Sequence, residues 1–399
     1  MKKINFLSVI TALTAISFMS SCSKSSSPSP NDNTSDCTVT APANYSFDHE
    51  GTSTVFFTGQ ADRLAKAKEL YNAINTTSGT PTASSLLLMF GENGLSGKVA
   101  EANSNNNALT DVSPMIETLL TDFATNAPLF AAGDIASAGN AGLAGPGSSY
   151  GLDAKGWEAD QLYAKTLIGA LCLQQVAHDY LTKMDVDNVE RNPDSTGYAG
   201  QVCTKREHYY DEAFGYVYGM DADPLTAAFE EIAGNKYEFL GKYLAKHNAN
   251  NQYSGVDYVN IVYDAFKMGR AAVVAECEDE LNAQIDIINN ALSDVVAWHA
   301  EGYLRSSTNY LDSLGNISSP SYFHYVSEAW GFVRALEFTK STNYTFSATD
   351  VQNMITTLDA NGAGAWGLTD AHLIGLADEI QAKTGLPTAT SFTNLVGLE

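Results

Sequence analysis

Histidine and glutamate recur four residues apart in two segments of this 399-residue chain. His208-Tyr209-Tyr210-Asp211-Glu212-Ala213-Phe214-Gly215-Tyr216 aligns with His324-Tyr325-Val326-Ser327-Glu328-Ala329-Trp330-Gly331-Phe332, with five of nine positions identical. Positions four apart share one face of a helix, so each segment presents an imidazole beside a carboxylate. Should the two helices face each other, His208, Glu212, His324 and Glu328 would form a two-His, two-Glu cluster of the kind that suits Fe or Zn inside a helical bundle. Bundle di-iron sites place Glu three residues before His, whereas here His comes first and the spacing is four. Alternatively, each Glu accepts a hydrogen bond from its own His or from nearby backbone and holds a polar spot inside an aromatic core.

Three more polar residues, Glu158, Gln161 and Lys165, form a stripe at spacings of three and four on a helix that continues into the apolar Leu167–Leu173. The stripe is either a solvated face or a buried complement to the His/Glu residues. Trp298-His299-Ala300-Glu301 is a looser echo, and its spacing of two sets His299 and Glu301 on different faces. There is no His-Glu-x-x-His motif, no Gly-x-Ser-x-Gly elbow and no phosphate-binding glycine loop, so peptidase or other catalytic chemistry has no intact motif behind it.

Helices must position these residues. Helical periodicity runs through Ala61–Ile74, Ser113–Phe130 and Trp157–Met184, and further helices are expected near 205–219, 224–247, 256–276, 277–307, 320–340, 347–358 and 369–384. Ser347 and Thr369 begin good capping sequences. Residues 45–60 read as short extended structure around Thr54–Thr58, and 131–151 as a long Gly/Ala/Ser loop. The expected fold is mainly α, a helical bundle of two packed lobes related by the weak repeat, with a short extended segment at the N-terminal side.

Ahead of that body, Lys2 and Lys3 precede an apolar stretch ending in Met19-Ser20-Ser21-Cys22, which reads as a signal peptide over 1–21 with Cys22 as the lipidated mature N-terminus. A Ser/Pro/Asn-rich tether fills 22–43, and 44–399 is the helical domain. The expected address is the cell envelope, with lipid anchoring to the outer membrane. The chain has 46 acidic and 22 basic residues and a net charge of −24; removal of Lys2 and Lys3 with the leader makes this −26. Such acidity disfavours nucleic acid as a partner and any polybasic hold on anionic lipid. Cys37, Cys172, Cys203 and Cys277 show neither zinc-knuckle nor redox-pair spacing, and their pairing stays open.

The chain resembles a lipoprotein family catalogued as domain of unknown function 4856. The resemblance is carried by Tyr45-Ser46-Phe47, Gly51, Ser53, Val55, Phe57, Gly59-Gln60 and Arg63, by Glu158, Gln161, Lys165 and Gly169-Ala170-Leu171, and by both His-x-x-x-Glu segments. The organisation is also similar to that of the imelysin-like proteins, exported two-lobed helical proteins associated with iron uptake, whose signature is Gly-x-His-x-x-Glu. Here Arg206 and Tyr322 stand where that glycine would be, and the spacing is four. The resemblance implies a binding or accessory protein in metal or haem acquisition, working with envelope uptake machinery and taking a divalent metal at His208, Glu212, His324 and Glu328. A surface glycan- or peptide-binding lipoprotein is the competing expectation.

Overall fold

Side-chain caps set where many of the helices begin. Thr82, Asp257, Thr204, Ser347 and Thr369 each accept a backbone N–H from the first turn that follows, and the last three do so within reciprocal capping boxes. The computed structural model describes residues 37–106, 112–186, 202–220, 239–249 and 256–389. The leader, Cys22 and most of the tether lie outside the described residues.

A two-residue hairpin, β1 (Asp48–His49) with β2 (Thr52–Ser53), precedes α1 (Thr58–Ile74). Then come α2 (Ala83–Gly91), α3 (Leu95–Asn106) and α4 (Val112–Ala132). A second small hairpin, β3 (Gly142–Leu143) with β4 (Gly151–Leu152), leads to α5 (Ala159–Leu167). The rest is α6 (Lys205–Tyr218), α7 (Phe239–Ala249), α8 (Tyr258–Ala275), α9 (Glu278–Thr308), α10 (Ser321–Ala335), α11 (Ala348–Leu358) and α12 (Asp370–Thr384). The fold is a helical bundle in which the 31-residue α9 packs against α8, α10 and α12. On its apolar side Leu281, Ile288, Leu292, Val296 and Leu304 are buried. The described residues from Thr38 onward form one compact unit that contains both repeat helices.

Several elements differ from the sequence reading. The β-prone run Thr54–Thr58 is not a strand; the pairing occurs earlier, and Thr58 already opens α1. The run Trp157–Met184 is not one α-helix. After α5 it widens into a π-helix over Ile168–Asp179 and tightens into a 3-10 turn at Tyr180–Thr182. Within the π-segment, Gly169 lies against α10: a Cβ there would sit 2.6 Å from the Cα of Ala335. Helices α2 and α3 had no counterpart in the sequence reading. The part of the 224–247 helix before Phe239 lies outside the described residues. Among the described residues no helix is long and apolar enough to cross a membrane.

Candidate functional site

The first repeat sits on α6. The capping box of Thr204 and Glu207 fixes the helix start, and one turn later His208 and Glu212 share a face. His208 Nε2 lies 3.5 Å from Glu212 Oε2, and its ring stacks on Phe56 with centroids 5.4 Å apart. Gln60 of α1 donates to Glu212 Oε1 at 2.6 Å, and Tyr180 also hydrogen-bonds this carboxyl group. Burial pushes His208 down to about 4 and Glu212 up to about 7. At neutral pH the imidazole is therefore uncharged, and the carboxyl group is divided between its two protonation states. Gly215 permits the approach of α1, because a Cβ there would lie 2.7 Å from Phe57 Cβ and 2.9 Å from Gln60 Cβ.

The neighbouring face of α6 ties down the N-terminal segment. Fully buried Asp211 accepts from Arg270 Nε at 2.9 Å, Tyr45 Oη at 2.7 Å and the Phe56 backbone N–H at 3.1 Å. Arg270 also donates to Thr54 Oγ1 and lies 3.4 Å from Glu207. This buried ion cluster is supplied with hydrogen bonds on several sides, the condition under which such a cluster can hold. It seats Phe56, and Phe56 in turn seats His208.

The second repeat, on α10, has different neighbours. His324 Nδ1 lies 2.8 Å from Glu158 Oε2, and Nε2 lies 3.8 Å from Glu328 Oε2. Glu328 Oε1 is 2.8 Å from Lys165 Nζ and accepts from Tyr243 Oη at 3.0 Å. Lys165 also donates to Gln161 Oε1, and Gln161 donates to Asp160 Oδ2 at 2.7 Å. Tyr150 stacks on His324 with centroids 5.0 Å apart. Burial alone would lower His324, but the Glu158 carboxylate beside it raises it to about 9. Burial would raise Glu328, but Lys165 and His324 hold it far below the usual carboxylate range. Burial and Glu158 push Asp160 well upward. A Cβ on Gly331 would lie 2.5 Å from Lys165 Cβ.

The stripe Glu158, Gln161 and Lys165 is therefore buried and completes the second repeat. His299 joins it indirectly: its ring stacks on Phe332 and meets the edge of Tyr243, while Nδ1 lies 2.8 Å from the Val295 carbonyl oxygen. Glu301 points elsewhere, to Arg305 at 2.8 Å. Each repeat imidazole takes its charged neighbours from its own surroundings: Arg270 for His208, and Glu158, Glu328 and Lys165 for His324. Among the described residues no group of three or more His, Cys, Asp or Glu side chains is placed to hold a metal ion. Sequence reasoning missed Phe56, Tyr150, Tyr180 and Tyr243. An aromatic ring facing a helix from another part of the chain leaves no local signature.

One chain run links the two surroundings. It supplies Gln161 and Lys165 at the second repeat, then passes through the π-segment to Tyr180 at the first. Cys37 and Cys277 are disulfide-bonded, whereas Cys172 and Cys203 are buried free thiols.

Fold and sites together define a helical protein with a duplicated His/Glu helix whose two copies have different partners. Residues 98–387 match the family described as Domain of unknown function (DUF4856), and the chain belongs to that family. No curated protein and no solved structure matches it.

Proposed function

We propose that this is an exported, lipid-anchored binding protein of the cell envelope, serving metal acquisition, with the His208–Glu212 pair as its ligand seat. The carrying observation is the contrast between the copies. At the second, Lys165 already occupies the place a cation would take beside Glu328. At the first, a neutral imidazole faces a carboxyl group that reaches its anionic form near neutral pH. Two side-chain donors do not make a closed site, so the reading is of a metal cargo that keeps ligands of its own, such as water or a chelator.

Export is supported by the leader ending at Cys22 and by the oxidised Cys37 and Cys277, since disulfides persist in oxidising compartments. The imelysin-like resemblance supports the metal. The test is a thermal-shift titration of the purified chain with Fe(II) and Zn(II). A metal-dependent rise in Tm that disappears in His208→Ala and Glu212→Gln is expected. No rise, or a rise that survives both substitutions, overturns the reading and leaves glycan or peptide binding as its successor.

A further inference from the structure

The face of α6 that carries Glu212 also carries Lys205, Tyr209 and Tyr216, at helical spacings of four, three and four. Tyr180 joins their rings from the 3-10 turn, its centroid 6.2 Å from that of Tyr209 and 6.0 Å from that of Tyr216. Four cations gather on this row of tyrosines. Lys205 Nζ lies 5.8 Å and Lys183 Nζ 5.2 Å from the Tyr209 centroid, while Lys183 and Lys98 lie 4.8 Å and 5.2 Å from that of Tyr180. Arg63 donates to Tyr216 Oη at 2.6 Å. Fewer carboxylates pair with them. Asp179 serves both Lys183, at 2.6 Å, and Lys98, at 3.7 Å, and Glu101 adds a second contact to Lys98. Arg63 and Lys205 meet no carboxylate among the described residues: Arg63 bonds Tyr216 and the Asn93 carbonyl oxygen, and Lys205 faces Tyr209. In a chain of 22 basic against 46 acidic residues, this gathering runs against the overall charge. It also reaches the first repeat, because Lys98 and Lys183 draw the Glu212 carboxyl group down against the effect of burial.

Building on the metal-binding reading of the His208–Glu212 seat, we infer that the cargo is a metal complex of net negative charge, held by a polycarboxylate chelator whose free oxygens rest on Lys183 and Lys205 while the metal meets Glu212. Three features select that chemistry. A bare divalent ion is repelled by the four cations, and an anionic complex is drawn in. Ammonium groups donate charge-assisted hydrogen bonds to carboxylate oxygens, and Lys183, Lys205 and Tyr209 are all partly exposed. Glu212 is the more open member of the seat, its side chain 15% exposed against 5% for His208, so a cargo with bulk of its own reaches it first.

Calorimetric titration of the full mature chain tests the charge of the cargo separately from the metal. The probes are Zn(II) nitrilotriacetate, with one net negative charge; Zn(II) triethylenetetramine, equally chelated but with two positive charges; aqua Zn(II); and nitrilotriacetate alone. The nitrilotriacetate complex is expected to bind at least about tenfold tighter than the triethylenetetramine complex. That preference should shrink in roughly 1 M salt, where the Debye length is about 3 Å. In Lys183→Gln/Lys205→Gln, which alters only partly exposed side chains and is checked for folding by its thermal melt, the two complexes should bind within about twofold of each other. Zinc binding that depends on Glu212 but shows no preference for the anionic complex overturns this inference and leaves the metal reading standing. A preference that survives in the folded double variant does the same. Nitrilotriacetate alone binding as tightly as its zinc complex overturns the inference by showing an anion site that ignores the metal, and failure of every zinc form to bind overturns both readings.

Discussion

The two His-x-x-x-Glu copies share a helix, a spacing and a glycine, yet they reach opposite electrostatic states. On α6 the Glu212 carboxyl group meets a neutral amide, Gln60, and burial holds His208 neutral. On α10 Glu328 meets a cation, Lys165, and His324 is charged between two carboxylates. Burial acts on both; the partner delivered by the facing helix decides the outcome. Duplicating a motif therefore preserves its geometry without preserving its charge, and a function inferred for one copy does not transfer to the other.

Breaking the charged copy should have the largest effect. Glu328→Gln leaves Lys165 buried without its closest carboxylate and should cost about 3–5 kcal/mol, read by denaturant unfolding. If it costs no more than a surface substitution, the second repeat is not held by its ion pairs. Next are the glycines. Gly331→Ala and Gly215→Ala each force a methyl group against the facing helix and should cost about 1–3 kcal/mol apiece. Similar losses at both would confirm that the copies share their packing while differing in charge. The smallest effect belongs to Glu212→Gln, which removes no ion-pair partner at the distances that hold Glu328 and should change stability by less than about 1 kcal/mol.

Stability should also depend on pH in opposite senses. Because His324 is raised, its contribution is complete below the unfolded value of about 6.5 and is lost as pH climbs through about 9. His208 is lowered, so the native state is penalised as pH falls from about 6.5 to about 4, where the unfolded chain takes up the proton first. Glu212 adds stability at acid pH that is lost as pH rises through about 7. Thermal melts of His324→Gln should lack the alkaline fall, and those of His208→Gln the acid one.

Much of this was legible in the chain. Helix positions followed from apolar periodicity and from caps such as Ser347 and Thr369, because those signals are local. The π-segment was not legible: a run buried on all sides carries no period by which a wider turn could be told from an α-helix. The repeat itself could be read, as could the residues that serve it, Glu158, Gln161 and Lys165. Which polar stripe was buried, and which carboxylate would meet a lysine, depended on long-range packing of α5 against α10 and α1 against α6. The aromatic lids Phe56 and Tyr150 come from segments that read only as extended or loop.

The divergence of the two copies is tested most directly by following the imidazole resonances of His208 and His324 through an NMR pH titration, assigned with His208→Gln and His324→Gln. The account predicts two separate midpoints, about 4 for His208 and about 9 for His324. A common midpoint near the unperturbed value of about 6.5 would contradict it.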